Sequence, residues 1–396
     1  MTPLPLERVS STCRSVVMCT AAWVFHGNPA IAANAAPTAL PPMTYMPVGQ
    51  AGRPPLMISR LILGTDHLGK VPESQSEAVM AEAVRLGINA FDTAPIYAND
   101  SEARLGRWLA RQKRQDLYVI SKGGFPRDLG PGTYRSRLAG DKAQIVANVR
   151  EELEPSRARF NRPIAIYLMH RDDADFQDYR RLERPQTPVR TILEALADPQ
   201  LTPHFGMIGL SNWRAARVDE AVREAAASPT LAQPICHSPY FSLLEMGPVT
   251  IHSGGVQVTH AEMMRRDFQP GIRLMTYSPL GGFSIVRPGW EAARQRALAL
   301  KQQRDRYWGN VYGAIFHPTN AQRFRRAEAF TQALNARLGT HYTLDQVLDA
   351  YTLAHPRSEF VVIGPRTVEQ LRRTVGALEL AKRLTLRDLD QLYAGP

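Results

Sequence analysis

The sequence predicts an α/β protein, a (β/α)8 TIM barrel carried as one domain by residues 43–396, with an N-terminal β-hairpin cap and long loops at the C-terminal face. Three observations predict it. Eight short apolar runs alternate with amphipathic stretches. The runs are apolar throughout, as parallel strands buried on both faces are. No Gly-x-Gly-x-x-Gly opens a helix after any of them, which favours a barrel over a Rossmann sheet.

The strands are expected at 56–63, 88–91, 117–121, 164–169, 205–210, 232–236, 272–277 and 359–363. Helical spacing and start signals place helices at 74–85, 102–111, 142–153, 188–196, 215–226 and 367–378. Residues 43–48, turning through Gly49 and Gly52 and returning from Pro55, form the hairpin. Two connections, 240–263 and 281–319, exceed ordinary βα loops and are expected to shape the substrate site; the alternative, for 290–304, is an added surface helix.

Composition narrows the function. A 396-residue chain with 44% apolar and 21% charged residues is a globular protein with a sizeable core. No apolar run reaches the ~18 residues of a membrane span. The net charge of +11 suits an anionic ligand such as a dinucleotide phosphate. No base-reading motif or basic run points to nucleic acid. Three cysteines, Cys13, Cys19 and Cys236, with no Cys-x-x-Cys, argue against a disulfide framework or a zinc site. Residues 1–42 stand outside the fold. Arg8 and Arg14, the apolar 16–25 and the Ala-rich 30–36 fit a secretory signal peptide. The same residues also fit a disordered tail or a start at Met43, and a cytoplasmic location is the expectation, with export the alternative.

Chemistry concentrates at strand ends, where barrels build their sites. Asp92 closes the second strand, with Tyr97 five residues on; Lys122 closes the third; His170 follows the fourth. Lys122 is one of only six lysines among 48 basic residues, and arginine, permanently charged and planar, could not replace it. A tyrosine beside an ammonium is a general acid whose pKa that charge lowers. Asp92 balances Lys122, and His170 orients a carbonyl oxygen. The run His170-Arg171-Asp172-Asp173 lacks the spacing of a metal site.

With these residues in place, the chain resembles the aldo-keto reductases. LILGTDHLG (61–69), GINAFDTAPIY (87–97), VISKGG (119–124), YLMHRDD (167–173), GLSNW (209–213), SPYFSLLE (238–245), YSPLGGF (277–283) and VVIGPRTVEQL (361–371) occur in that family's order. The resemblance implies NADPH, with NADH as the other nicotinamide donor, bound across the barrel mouth, and a small-molecule carbonyl substrate. It implies Ser211 and Asn212 at the carboxamide and Phe241 stacked on the nicotinamide. Tyr277, Ser278, Pro279, Leu280 and Gly282 match the pyrophosphate loop. Gly364, Arg366 and Gln370 match the adenosine-phosphate clamp, with Arg366 facing a 2′-phosphate. Two departures stand out. Ser238 replaces the usual glutamine, and Arg373-Thr374 replaces the Glu-Asn pair that secures adenine. The expected activity is NADPH-dependent reduction of an aldehyde or ketone; the alternative is a nucleotide-binding regulatory subunit.

Overall fold

A computed structural model describes residues 40–395, apart from 51, 53, 131–132, 174–186 and 253. The signal-peptide, tail and start-site expectations for 1–39 lie outside the described residues. From Leu40 onward the chain is one compact unit.

Strands β1 (Tyr45–Val48) and β2 (Leu56–Ser59) form the expected antiparallel hairpin. Eight parallel strands then close a barrel: β3 (Leu61–Gly64), β4 (Ala90–Asp92), β5 (Tyr118–Gly123), β8 (Ile164–Met169), β9 (Phe205–Ser211), β10 (Pro234–Ser238), β11 (Arg273–Tyr277) and β12 (Phe360–Ile363), with β12 pairing back onto β3. Between β5 and β8 lies a small hairpin, β6 (Arg127–Gly130) and β7 (Thr133–Arg135), absent from the sequence expectations. Helices α1 (Glu73–Arg85), α2 (Ser101–Ala110), α3 (Lys142–Arg159), α4 (Val189–Leu196), α5 (Ala215–Ala227) and α6 (His260–Met264) occupy the first six connections. After β11 come α7 (Trp290–Gln302), α8 (Arg306–Ile315), α9 (Pro318–Leu338) and α10 (Leu344–Ala354). After β12 come α11 (Val368–Ala381) and α12 (Leu386–Tyr393).

Strand parity builds both sides of the wall. Ile62, Ala90, Ile120, Ile166, Leu168 and Met275 point inward and pack in one cluster with Val48 and Ile58 of the hairpin, which plugs the barrel's N-terminal end. Their alternates Leu61, Leu63, Phe91, Val119, Tyr167 and Leu274 point outward and pack against the helices. Because both sides are buried, the strands read as continuous apolar runs rather than alternating ones.

Three expectations need correction. The single strand 56–63 is two strands broken at Arg60, whose guanidinium donates to the Ser358 and Leu353 carbonyls. A continuous apolar run hides the switch from antiparallel to parallel pairing. The helix expected to end at 153 continues through Pro155 to Arg159. Buried Glu102 accepts hydrogen bonds from Ser156 (3.0 Å) and Arg159 (2.8 Å), and this tertiary anchor holds the last turn despite the proline. Much of 281–319 is helical, and α9 and α10 have no counterpart in the sequence reading. The α9 face of Phe324, Ala327, Thr331 and Leu334 is sparse among arginines, so its period is hard to see.

Candidate active site

The same parity sets the site. In β4, Ala90 faces in and Phe91 faces out, so Asp92 faces in; in β5, Ile120 faces in, so Lys122 does too; after β8, Leu168 faces in, so His170 does as well. Ser211, Ser238 and Tyr277 fall on the inward register at the tops of β9, β10 and β11. Tyr97 is no strand residue. The chain turns back at Ala94, whose carbonyl accepts Tyr97 N–H at 3.1 Å. Asn99 and Asp100 then take left-handed φ of 51° and 53° before α2 starts. Gly69 packs beneath this turn, where a Cβ would lie 2.1 Å from the Ala98 oxygen; only glycine allows the approach.

The result is a tight triangle. Lys122 Nζ donates to Asp92 Oδ1 at 2.6 Å, to the Thr93 carbonyl at 3.0 Å and to the Tyr97 hydroxyl at 2.8 Å. Tyr97 OH donates to Asp92 Oδ1 at 3.2 Å. Asp92 and Lys122 are buried and Tyr97 is half-buried. The His170 ring stands edge-on to Tyr97, with centroids 6.2 Å apart, and against Phe125 at 5.2 Å. His170 Nδ1 is buried with no hydrogen-bond partner among the described residues.

Desolvation dominates the electrostatics. It raises the Asp92 carboxyl and lowers the Lys122 ammonium, against their mutual attraction. His170 is held well below its ordinary value by burial, then by Arg171 and Lys122; it is neutral. The expectation that Lys122 lowers the phenol of Tyr97 is not met. Desolvation and then the Asp92 carboxylate push it well above 10. Tyr97 therefore keeps its proton near neutral pH.

A cavity of about 1970 Å³ opens over this triangle, larger than the roughly 300–1,000 Å³ of an ordinary ligand pocket. Its walls include Asp92, Tyr97, Lys122 and His170, the four residues expected to react, and Ser211, Asn212, Ser238, Tyr277, Ser278, Pro279, Leu280, Gly282, Gly364, Arg366, Gln370, Arg373 and Thr374. Asn212, at a left-handed φ of 58°, accepts from Tyr277 OH at 2.6 Å and donates to Ser211 Oγ at 3.0 Å. Phe241 does not reach the cavity. It is fully buried, its ring 4.8 Å from His355 and 6.0 Å from Tyr351. It lies in the chain after β10, not at an inward strand position. Tyr277, at the inward register of β11, lines the cavity in its place. Arg373 lines it too, but Asp345 (2.8 Å) and Glu369 (2.6 Å) engage its guanidinium, so it offers little charge to a phosphate.

The adjacent acids of the His170 run are used structurally. Asp172 takes a two-point contact from Arg217, both at 2.9 Å, and Asp173 accepts the Thr187 N–H. Among the described residues no cluster of three or more His, Cys, Asp or Glu is placed to hold a metal ion, and no helix is long and apolar enough to cross a membrane. Sequence reasoning missed Asp66 and His67, after β3, and Asp345 and Asp349 on α10, all of which line the cavity. The strand-end rule finds the first pair; nothing in the sequence marks the second.

A closed parallel barrel with this set at its C-terminal mouth defines a class of enzyme, and the comparisons agree. The chain matches the aldo/keto reductase family over residues 60–393. It belongs to that family and is an NAD(P)H-dependent oxidoreductase. It is 28% identical over 368 residues to the uncharacterized oxidoreductase YrpG of Bacillus subtilis (strain 168), covering 89% of this chain and 97% of that protein.

Proposed function

We propose that the chain reduces an aldehyde or ketone to its alcohol with NADPH, Tyr97 being the general acid. The observation that carries this reading is the Asp92–Lys122–Tyr97 triangle opening into a cavity large enough for a dinucleotide and a substrate together.

Bound reduced nicotinamide would supply a hydride to the carbonyl carbon. The chain's own residues do the rest. Neutral His170 donates its single N–H to the substrate oxygen; with Nδ1 turned into protein and unpartnered, Nε2 is the nitrogen that carries it. Tyr97 donates to the same oxygen. As negative charge develops there, the oxygen becomes a stronger base than phenolate and takes the Tyr97 proton. Lys122, 2.8 Å from the phenolate that remains, stabilises it, and Asp92 balances Lys122.

The residues on the walls fit the dinucleotide. Tyr277 takes the stacking role expected of Phe241, with Ser211 and Asn212 beside it. Left-handed Ser278, Gly281 and Gly282 turn the backbone after β11 toward the pyrophosphate. Arg366, exposed at the start of α11, faces the 2′-phosphate. Consumption of NADPH with 4-nitrobenzaldehyde tests the activity. Arg366→Ala tests the cofactor: NADPH affinity should fall roughly ten- to a hundredfold with NADH binding unchanged. Equal weakening of both would assign Arg366 a structural role.

A further inference from the structure

We infer that Asp349, supported by Thr374, recognises the exocyclic amino group of the dinucleotide's purine, so that adenine is read from α10. The inference rests on the dinucleotide reading above and adds the residue that selects the base.

The clamp has two ends of opposite character. At the start of α11, Arg366 supplies an exposed cation and the helix its N-terminal dipole, both suited to phosphate. Seven residues beyond Thr367, Thr374 lies roughly 10 Å along the helix axis, the reach from a nucleotide's ribose phosphate to the far edge of its base. Here the wall is acidic. Asp345 and Asp349 come from α10, against the single guanidinium of Arg373, while Glu369 sits back on the first turn of α11. An acidic wall repels phosphate and receives a neutral group bearing N–H donors.

Among the three acids, only Asp349 has no cation bonded to it. Arg373 occupies Asp345 and Glu369. Asp349 is 2% exposed yet lines the cavity, and its Oδ2 accepts the Thr374 hydroxyl at 2.7 Å. No other described residue donates to it. Its Oδ1 has no hydrogen-bond partner among the described residues, and because the side chain lines the cavity a ligand N–H can reach it. Thr374 fixes the carboxyl's direction. Burial pushes this group up to about 7, in keeping with its exclusion from water.

The test compares NADPH with its reduced hypoxanthine analogue, which carries a 6-oxo group in place of the 6-amino group, by fluorescence titration without substrate. The native chain should bind NADPH roughly ten- to a hundredfold more tightly. Asp349→Ala should lose that factor for NADPH and leave the analogue's affinity unchanged. Thr374→Val, which keeps the acid but frees it, should narrow the discrimination; it serves alone if Asp349→Ala does not fold. A native chain that binds both equally, or an Asp349→Ala chain that weakens both equally, overturns the assignment while the dinucleotide reading stands. A native chain that binds neither overturns both.

Discussion

Two largely buried polar networks of similar composition lie in this barrel, and only one faces the cavity. The first is Asp92, Tyr97, Lys122 and His170. The second joins Tyr351, His355, His260, Asp390, Glu245, Arg323 and Tyr393. In it, His355 Nδ1–H donates to the Tyr351 carbonyl at 2.7 Å, its Nε2 meets His260 Nδ1 at 3.0 Å, and His260 Nε2 meets Asp390 Oδ1 at 2.9 Å. Tyr393 OH donates to Glu245 at 3.0 Å, and Arg323 lies 3.8 Å over the Tyr393 ring while bonding the same Glu245 at 3.1 Å. Phe241, expected at the cofactor, packs against this second network. It ties α6, α9, α10 and α12 together. Tyrosine, histidine, acid and cation in contact are thus no sign of catalysis by themselves. What distinguishes the first network is that inward strand ends, and for Tyr97 the turn after β4, aim it into open space.

The largest effect should come from breaking the first network. Tyr97→Phe should lose ~10²–10⁴-fold in kcat while cofactor binding survives. If the triangle acts as one unit, adding Lys122→Met should cost far less than the product of the two single losses. Near-normal turnover in Tyr97→Phe would remove the proton-donor role.

Asp349 sharpens the contrast, being buried like the second network and cavity-facing like the first. Its carboxyl is raised from 3.8 to about 7, so the native state binds its proton more tightly than the unfolded chain. Its contribution is present below about pH 4 and is lost as pH rises through about 7. The span corresponds to up to about 4 kcal/mol. Asp349→Asn should flatten this part of the Tm–pH profile. A profile with the native slope would show that Asp349 does not titrate in that window.

Breaking the second network should cost less and cost something different. His260→Ala leaves His355 Nε2 and the Tyr351 hydroxyl without that partner and should lower stability by about 1–3 kcal/mol. Turnover at a temperature where the variant is folded should be native. A large loss of kcat with unchanged Tm would mean that the two networks are coupled.

Much of the site was legible because strand ends are local. An apolar run followed at once by Asp92, Lys122 or His170 announces its place, and Tyr97 follows by a short turn. Thirteen of the fourteen residues expected at the cofactor line the cavity with the four expected to react. Phe241 went wrong because the chain after β10 is irregular, and an aromatic there reads alike whether it turns to the cavity or to α10. Arg373 faces the cavity as expected, yet its charge is spent on Asp345, 28 residues away.

By itself the sequence determined the barrel, the order of its strands and the strand-end places of the residues proposed for the reaction, since each follows from hydrophobic period and from neighbours a few positions apart. Tertiary structure alone decided the rest. It broke the first strand at Arg60, carried α3 past Pro155, raised the Tyr97 phenol and brought Asp349 to the cavity. Each of these depends on desolvation or on a partner dozens to hundreds of residues distant, and neither leaves a trace in local sequence.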